Sequence, residues 1–248
     1  MLNQRQNEIL KILGENDRTS VNALSDTLNV SSVTIRQDLN VLEGEGLLKR
    51  VHGGAVLKDA DDLASRLGVN YESKLRIARK LANRVTEGET VLIESGSVNA
   101  LLARELSQLN KVTIVTTNVY IARQFRKNSH ATIILLGGIY QHESETLVGK
   151  ITRACIDQLH IEKAFIGIDG YTTATGFMQR DLFRAEISSY IIRKAGDLFI
   201  VSDASKFGRK GLTSICRLED VHHVATNTEL DTAYRKEFAE AGIDLILA

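Results

Sequence analysis

The apolar positions of the first 57 residues recur at intervals of three and four, interrupted by short polar turns. This spacing is typical of amphipathic helices and predicts three of them. The first ends near Gly14, the second is capped by Ser20, and the third starts at a cap formed by Ser31 or Ser32. The predicted buried faces are, in chain order, Ile9, Leu10, Ile12 and Leu13, then Val21, Leu24 and Leu28, then Ile35, Leu39 and Leu42.

Residues 47–57 have the pattern of a β-hairpin. The run at 47–52 predicts a strand, and Gly53 and Gly54 permit a sharp turn into residues 55–57. Three helices and a hairpin indicate a winged helix-turn-helix, whose last helix would enter the major groove of double-stranded DNA with its N-terminal residues against the bases. Arg36 and Gln37 suit base reading, because a guanidinium pairs with guanine and a carboxamide with adenine.

The predicted DNA contacts extend to the caps and to the wing. Lys49, Arg50 and His52 would contact phosphate or an adjacent minor groove. On spacing alone a second interpretation stays open, a three-helix protein-interaction module whose polar residues face water. The candidate DNA-binding residues are Ser20, Ser31, Ser32, Thr34, Arg36, Gln37, Lys49, Arg50 and His52.

From about residue 72, short runs rich in Val and Ile alternate with helix-like segments. This alternation predicts a mostly parallel sheet with helices on both faces, so the fold class is α/β. The candidate strands are 90–94, 112–116, 132–136, 164–168, 198–202, 221–225 and 243–247, and the helices are 98–106, 119–126, 151–158, 184–194 and 232–241. We therefore expect a DNA-binding domain at 1–57, a polar linker at 58–71 and an α/β domain at 72–248.

Small and polar residues follow five of these strands, at the edge where such sheets bind ligands. Glycine and serine let backbone N–H groups approach an anion, and Lys206 could balance the charge of a phosphate. Each group taken singly is also compatible with ordinary loop chemistry. The candidate effector-binding residues are Glu94, Ser95, Gly96, Ser97, Thr117, Asn118, Gly137, Gly138, Asp169, Gly170, Asp203 and Lys206.

Composition changes this picture in only a few respects. The 248 residues are 43% hydrophobic and 25% charged, which is ordinary for a folded protein, and the formal net charge is zero. DNA binding therefore depends on where the charges lie rather than on a basic excess. Cys155 and Cys216 predict free thiols, and neither they nor the histidines suggest a metal or cofactor. We expect a cytoplasmic protein without a membrane partner, since no signal or spanning segment is visible.

Residues 20–57, SVNALSDTLNVSSVTIRQDLNVLEGEGLLKRVHGGAV, resemble the N-terminal domain of the DeoR family of sugar-metabolism regulators. That module is similar to LS-x-x-L-x-VS-x-x-TIRRDL-x-x-LE-x-x-G-x-L-x-R-x-HGGA, and nearly every fixed position recurs. Gln37 departs from it, because the family pattern more often has arginine there. This should change the base that is read, or weaken phosphate attraction, without abolishing DNA binding.

The second domain resembles the sensor domain of the same family, which is similar to ribose-5-phosphate isomerases and is thought to bind phosphorylated sugar intermediates. The motifs are Val115–Asn118, Leu136–Gly138, Phe165–Gly170 and Ser205–Gly208. In two places this chain departs: Glu94-Ser95-Gly96-Ser97-Val98 stands for Asp-x-Gly-Thr-Thr, and Arg184-Ala185-Glu186-Ile187-Ser188 stands for Glu-Ala-Glu-Val-Lys. Arg184 either replaces the lost positive charge, as a further effector-binding candidate, or lies on an outer helix face.

These observations predict a DNA-binding transcriptional regulator that a phosphorylated sugar or related metabolite controls, with repression as the family's usual mode. A homodimer or homotetramer is expected, because one module reads only a short half-site. The alternatives are a sugar-phosphate isomerase-like enzyme, with Glu94 or Asp169 as general base beside Lys206, and an adaptor that does not bind DNA. No carboxylate pair stands at a diagnostic spacing, so we do not expect an enzyme.

Overall fold

The computed structural model describes residues 2–15, 18–45, 47–56, 63–108, 111–126 and 130–248. By its internal contacts the chain divides into two compact units, Met1–Glu72 and Ser73–Ala248. We call them the N-terminal and the C-terminal unit.

The N-terminal unit contains three helices followed by a hairpin, as the hydrophobic pattern predicts. Strand β1, which the sequence did not predict, pairs with β3, so the three strands form an antiparallel sheet in the order β1-β3-β2. Gly53, with φ of 76°, makes the left-handed turn of the hairpin. The elements are α1 (Gln4–Glu15), β1 (Thr19–Ser20), α2 (Val21–Leu28), α3 (Ser32–Gly44), β2 (Lys49–Val51), β3 (Gly54–Val56) and α4 (Leu63–Gly68).

Helix α4 corrects the expectation of a polar linker. Residues 57–62 lie outside the described part of the chain, but residues 63–68 are helical, with Leu63 and Leu67 buried. These two leucines stand four residues apart and therefore share one face of the helix. Part of the predicted linker thus belongs to the packed N-terminal unit.

The C-terminal unit consists of alternating strands and helices. Its helices are α5 (Tyr71–Ala82), which crosses the division between the units, α6 (Ser97–Leu106), α7 (Val119–Arg123), α8 (Lys150–Asp157), α9 (Leu182–Ile192) and α10 (Thr232–Glu240). Short 3₁₀ helices lie at Gln124–Arg126, Ala204–Lys206 and Leu218–Asp220. Its strands are β4 (Thr90–Ile93), β5 (Thr113–Thr116), β6 (Thr132–Leu135), β7 (Ile139–Gln141), β8 (Thr146–Val148), β9 (Lys163–Gly167), β10 (Gly170–Thr172), β11 (Gly176–Gln179), β12 (Asp197–Val201), β13 (Thr213–Cys216), β14 (His223–Thr226) and β15 (Asp244–Leu247).

The seven predicted strands form one parallel sheet, in the order β15-β14-β12-β9-β4-β5-β6. Each predicted strand lies within two residues of its observed bounds. The central strands are buried apolar runs, as Leu92, Ile166 and Ile200 illustrate, because helices cover both faces of such a sheet. The predicted α/β fold class is confirmed.

Two smaller sheets were not predicted. Strands β7 and β8 form an antiparallel hairpin, and β10, β11 and β13 form a separate antiparallel sheet. These strands have only three or four residues, and β11 is buried along its whole length, so no polar alternation marks it. In the residues that the structure describes, no helix is long and apolar enough to cross a membrane.

Candidate nucleic-acid interface and ligand site

Helix α3 presents a mostly polar face to solvent, because the core takes up most of its large apolar residues. Ile35, Leu39 and Leu42 are fully buried, whereas Arg36 and Gln37 are exposed. Ser31 caps the helix: its Oγ accepts a hydrogen bond from the Thr34 backbone N–H at 3.2 Å. The structure therefore holds Arg36 and Gln37 in the first turns of a well-anchored helix, the position that base reading requires.

The turn between α2 and α3 is fixed by local hydrogen bonds. Asn29 has a left-handed conformation, with φ of 51°, and the backbone N–H of Val30 donates to the Ser25 carbonyl at 3.1 Å. Ser20 Oγ caps α2 by accepting from the Ala23 N–H at 3.1 Å. The hydroxyls of Ser20 and Ser31 are thus engaged in capping, and their contact with DNA stays a prediction.

The wing residues differ in whether their side chains are free to contact DNA. Lys49 and His52 are exposed, and the Arg18 guanidinium donates to the His52 carbonyl at 2.8 Å. Arg50 instead turns toward α3, because its guanidinium donates to Asn40 Oδ1 and its backbone N–H donates to Glu43 Oε1. Arg50 therefore ties the wing to the end of α3, a role that the sequence did not reveal.

Asp38 is a positioning residue that the sequence analysis missed. It is 4% exposed and accepts hydrogen bonds from Arg5 Nε at 2.5 Å and from Gln6 Nε2 at 3.1 Å. These bonds join α1 to α3. A signal was present, since Asp38 stands at helical spacing from Ile35 and Leu42 and had to share their buried face.

The carboxyl ends of the parallel strands gather polar groups along one edge of the C-terminal sheet. Glu94 follows β4, Thr117 follows β5, Asp169 follows β9 and Asp203 follows β12, and all four are buried. Their strands are neighbours in the order β12-β9-β4-β5, at spacings of about 5 Å per strand. We call these four residues, with Ser95 and Arg184, the strand-end site.

Glu94 sits at the centre of a buried hydrogen-bond network. Ser188 Oγ donates to Glu94 Oε1 at 2.8 Å, Gln179 Nε2 donates to the same oxygen at 3.1 Å, and the Gly167 backbone N–H donates to Oε2 at 3.1 Å. Burial raises the pKa of Glu94 to about 7, although Ser188 and the charge of Arg184 act to lower it. Neither Gln179 nor Ser188 was predicted, because they lie 85 and 94 residues away in the sequence.

Arg184 points into the strand-end site. It is 6% exposed, and one terminal guanidinium nitrogen lies 3.5 Å from Asp169 Oδ2, while its Nε lies 4.0 Å from Asp181 Oδ1. Asp181 also caps α9 by accepting from the Arg184 backbone N–H at 2.7 Å. Of the two positions considered for Arg184, the outer helix face is therefore wrong.

Lys74 is a second buried cation that the sequence did not single out. It lies on α5, is 3% exposed, and places its Nζ 3.8 Å from Asp203 Oδ2. Burial acts to raise the pKa of Asp203, but Lys74, Ser205 and Lys206 together bring it below its ordinary value. Asp203 is thus held in its ionised form beside Lys74, and its Oδ1 also accepts from the Ser205 N–H at 3.0 Å.

Two buried hydroxyls beside these charges lack a hydrogen-bond partner. Ser95 Oγ, directly after Glu94, and Thr117 Oγ1 make no hydrogen bond with any residue that the structure describes. Burying a hydroxyl without a partner costs about 1–3 kcal/mol, so such groups mark a place where a ligand or water would bind.

Other predicted ligand residues have structural roles. The Asn118 side chain donates to Ser144 O at 2.9 Å and to Thr146 Oγ1 at 3.1 Å, and it caps α7 by accepting from the Ile121 N–H at 3.0 Å. A Cβ on Gly138 would lie 2.1 Å from Thr152 Oγ1, and one on Gly170 would lie 2.5 Å from the Arg209 carbonyl. Hydrogen bonding explains Asn118, and close packing explains the two glycines, without a ligand.

The remaining predicted residues border the same edge. Gly96 precedes α6 and Ser97 begins it, while Gly137 follows β6, where an added Cβ would make ordinary van der Waals contact with Ile151 at 3.6 Å. Lys206 is partly exposed at the end of the 3₁₀ turn that Asp203 caps. Among the described residues, no group of His, Cys, Asp and Glu could hold a metal ion.

A winged helix-turn-helix followed by a parallel α/β unit defines a class of DNA-binding transcription regulators with a separate sensor domain. The family models agree with this division: the DeoR-like helix-turn-helix domain matches residues 5–61, and the DeoR C terminal sensor domain matches residues 69–228. The second match alone covers more than half of the chain. The chain belongs to the DeoR family, and it is a DNA-binding transcriptional regulator.

Similarity to named transcriptional regulators supports the same assignment. The HTH-type transcriptional regulator GolR of Listeria innocua is 31% identical over 99% of this chain and 98% of its own. The glycerol-3-phosphate regulon repressor of Escherichia coli is 30% identical over 90% of each chain. A solved D-ribose-5-phosphate isomerase shares 16% identity and a TM-score of 0.41 over 55% of this chain and 54% of the isomerase. So distant a likeness says nothing about activity.

Proposed function

We propose that this protein represses genes of carbohydrate metabolism and leaves its operator when a phosphorylated sugar, or a chemically related metabolite, occupies the strand-end site. The main support for effector binding at this site is the pair of buried hydroxyls on Ser95 and Thr117, which have no hydrogen-bond partner among the described residues and lie among buried charges. The name of the glycerol-3-phosphate regulon repressor supports a phosphorylated polyol as the kind of ligand.

The DNA half of the proposal assigns reading to α3 and anchoring to the wing. Arg36 and Gln37 would meet base edges, and Lys49 and His52 would contact the backbone. Residues 1–57 would form this domain and residues 72–248 the effector domain. Because one module reads only a half-site, the regulator would act as a homodimer or homotetramer on a repeated operator.

The charges of the strand-end site suggest how the effector would lie. Its phosphate would approach the backbone N–H groups of Gly96 and Ser97 at the start of α6, with Lys206 compensating the negative charge. Its hydroxyls would donate to the carboxylates of Asp169 and Asp203 and meet Ser95 and Thr117. An effector of this kind would satisfy the buried groups that the protein leaves without partners.

Lys74 suggests a route from this site toward the DNA-binding domain. Its ammonium lies 3.8 Å from Asp203, and the α5 helix that carries it begins at Tyr71, where the predicted linker ends. A bound phosphate would compete with Asp203 for Lys74 and would therefore favour a different position of α5. Such a differential interaction is what allows a ligand to shift one arrangement toward another.

The test is DNA binding by the full chain to its own upstream region, with and without a panel of pentose, hexose and polyol phosphates. We expect one class of phosphate to weaken binding. The Lys206→Ala variant should keep operator affinity and lose the response, whereas Lys210→Ala, an exposed lysine nearby, should behave as the unaltered chain. Loss of both properties in Lys206→Ala would indicate a structural role instead, and turnover of any sugar phosphate would favour the enzyme.

A further inference from the structure

Helix α3 carries two apolar side chains on its solvent side. Val33 is 60% exposed and Val41 is 49% exposed, and they are the exposed large hydrophobic residues among the described part of the N-terminal unit. Isolated exposed valines are common on protein surfaces. Val33 differs from such cases in its position, because it occupies the first turn of the helix assigned to DNA reading.

The position of Val33 is set by the cap and by the helical repeat. Ser31 is the N-cap, so Val33 is the second residue of α3. Arg36, Gln37 and Asn40 follow it at intervals of three, four and seven, and all three are exposed. Residues at these intervals share one face of a helix, so Val33 extends the polar reading face toward its N-terminal end.

We propose that Val33 determines specificity by contacting the C5-methyl group of a thymine in each half-site. The thymine methyl is the apolar group of the major-groove code, and small apolar side chains contact it. The N-terminal residues of a recognition helix are those that meet base edges. The β-branched side chain of valine has few rotamers, so little freedom is lost when it makes the contact.

This inference rests on the proposed role of α3. It adds one apolar base contact to a face otherwise made of hydrogen-bonding groups. Arg36 and Gln37 can select guanine and adenine by hydrogen bonds. A thymine methyl offers no hydrogen bond, so an apolar neighbour is needed to distinguish it. Val33 supplies that neighbour on the same face.

Val41 provides a matched control within the same helix. It has the same side chain and similar exposure, but it stands eight residues later, about 12 Å further along the helix axis. A residue so far from the N-terminal turn is not placed to meet the same base. A serine at either position should leave the fold intact, because neither valine belongs to the core.

The experiment begins with a DNA duplex that the full chain selects from a random-sequence pool. Each dT of that duplex is then replaced by dU, which removes only the C5-methyl group. For the unaltered chain we expect one dU position per half-site to weaken binding about fourfold, corresponding to about 0.8 kcal/mol for one buried carbon. In Val33→Ser this dU effect should vanish, and in Val41→Ser it should persist.

The outcomes separate this inference from the function on which it rests. If the chain selects no sequence, or if Arg36→Ala leaves selectivity unchanged, α3 is not the reading helix and both proposals fail. If Arg36→Ala weakens selective binding but no dU position matters, or the dU effect survives in Val33→Ser, the Val33 inference alone is overturned. Equal thermal unfolding midpoints for the valine variants would show that folding is not the cause.

Discussion

The two candidate sites of this protein are built in opposite ways. On α3, Arg36 and Gln37 stand exposed on a helix whose other face is fully buried. At the strand ends, Glu94, Asp169 and Arg184 are themselves buried, and two hydroxyls beside them have no hydrogen-bond partner among the described residues. The candidate DNA-reading face consists of solvated polar groups on an apolar support, whereas the polar groups of the strand-end site are buried.

The two sites therefore differ in what they cost the free energy of folding. An exposed reading face costs the fold little, because its side chains are solvated when no DNA is bound. A buried polar site costs free energy until a ligand completes its hydrogen bonds. Substitutions should therefore change affinity without changing stability on α3, and change both together at the strand ends.

Leu39→Ala should destabilise the N-terminal unit by about 3 kcal/mol, because it opens a cavity in a fully buried position. Chemical denaturation followed by helical circular dichroism measures this. Val41→Ala, on the exposed side of the same helix, should change stability by less than about 0.5 kcal/mol. Similar losses for both variants would contradict the two-faced description of α3.

Glu94→Gln should remove a pH dependence of stability from the C-terminal unit. The pKa of Glu94 is about 7 in the folded chain against an ordinary value of 4.5, so between these values the folded state holds a proton that the unfolded state releases. Stability therefore falls as the pH rises from 4.5 to 7, by about 3 kcal/mol, and is level above that. Denaturation midpoints between pH 5 and 7.5 measure the slope.

The matched control for this pH experiment is Glu229→Gln, which alters an exposed glutamate of the same unit. It should keep the slope of the unaltered chain. If Glu94→Gln has the same slope as the unaltered chain, Glu94 is ionised in the folded protein over this pH range. Burial then does not raise its pKa.

Arg36→Ala should weaken specific operator binding by about 2 kcal/mol, roughly 30-fold, while the effector still binds. The physical reason is the loss of a bidentate contact to a base from an exposed side chain. Fluorescence anisotropy on the selected duplex measures it, with thermal unfolding as the control. A parallel loss of stability would place Arg36 in the support of the helix rather than on its reading face.

Ser31→Ala should cost about 1 kcal/mol of stability, since Ser31 Oγ accepts the hydrogen bond that caps α3. The neighbouring Ser32→Ala should have a smaller effect, because Ser32 makes no cap. Comparing operator affinity with stability in both variants decides whether Ser31 also contacts DNA. An affinity loss beyond the change in stability would support the predicted contact.

The sequence predicted the elements well and the contacts between distant residues poorly. The spacing of apolar residues in α3 and in the seven strands is a local signal. The elements predicted from it were confirmed, because the spacing directly indicates which face is buried. The partners of Glu94 were missed, since Gln179 and Ser188 reach it from other elements, and Lys74 was missed because its helix carries no motif that marks the site. Asp38 was overlooked although its spacing placed it on the buried face.

Local sequence patterns are enough to predict which faces of the helices are buried, that the main sheet is parallel, and at which edge its polar residues gather. The packing of distant segments determines which of those residues are already engaged: Asn118 forms hydrogen bonds and Gly138 is closely packed. The hydroxyls of Ser95 and Thr117 have no hydrogen-bond partner in the part of the chain that the structure describes. The same packing also decides that Arg184 turns inward. The reason is physical: periodicity fixes the direction of a side chain relative to its own element, whereas its partners depend on which distant segments the fold brings beside it.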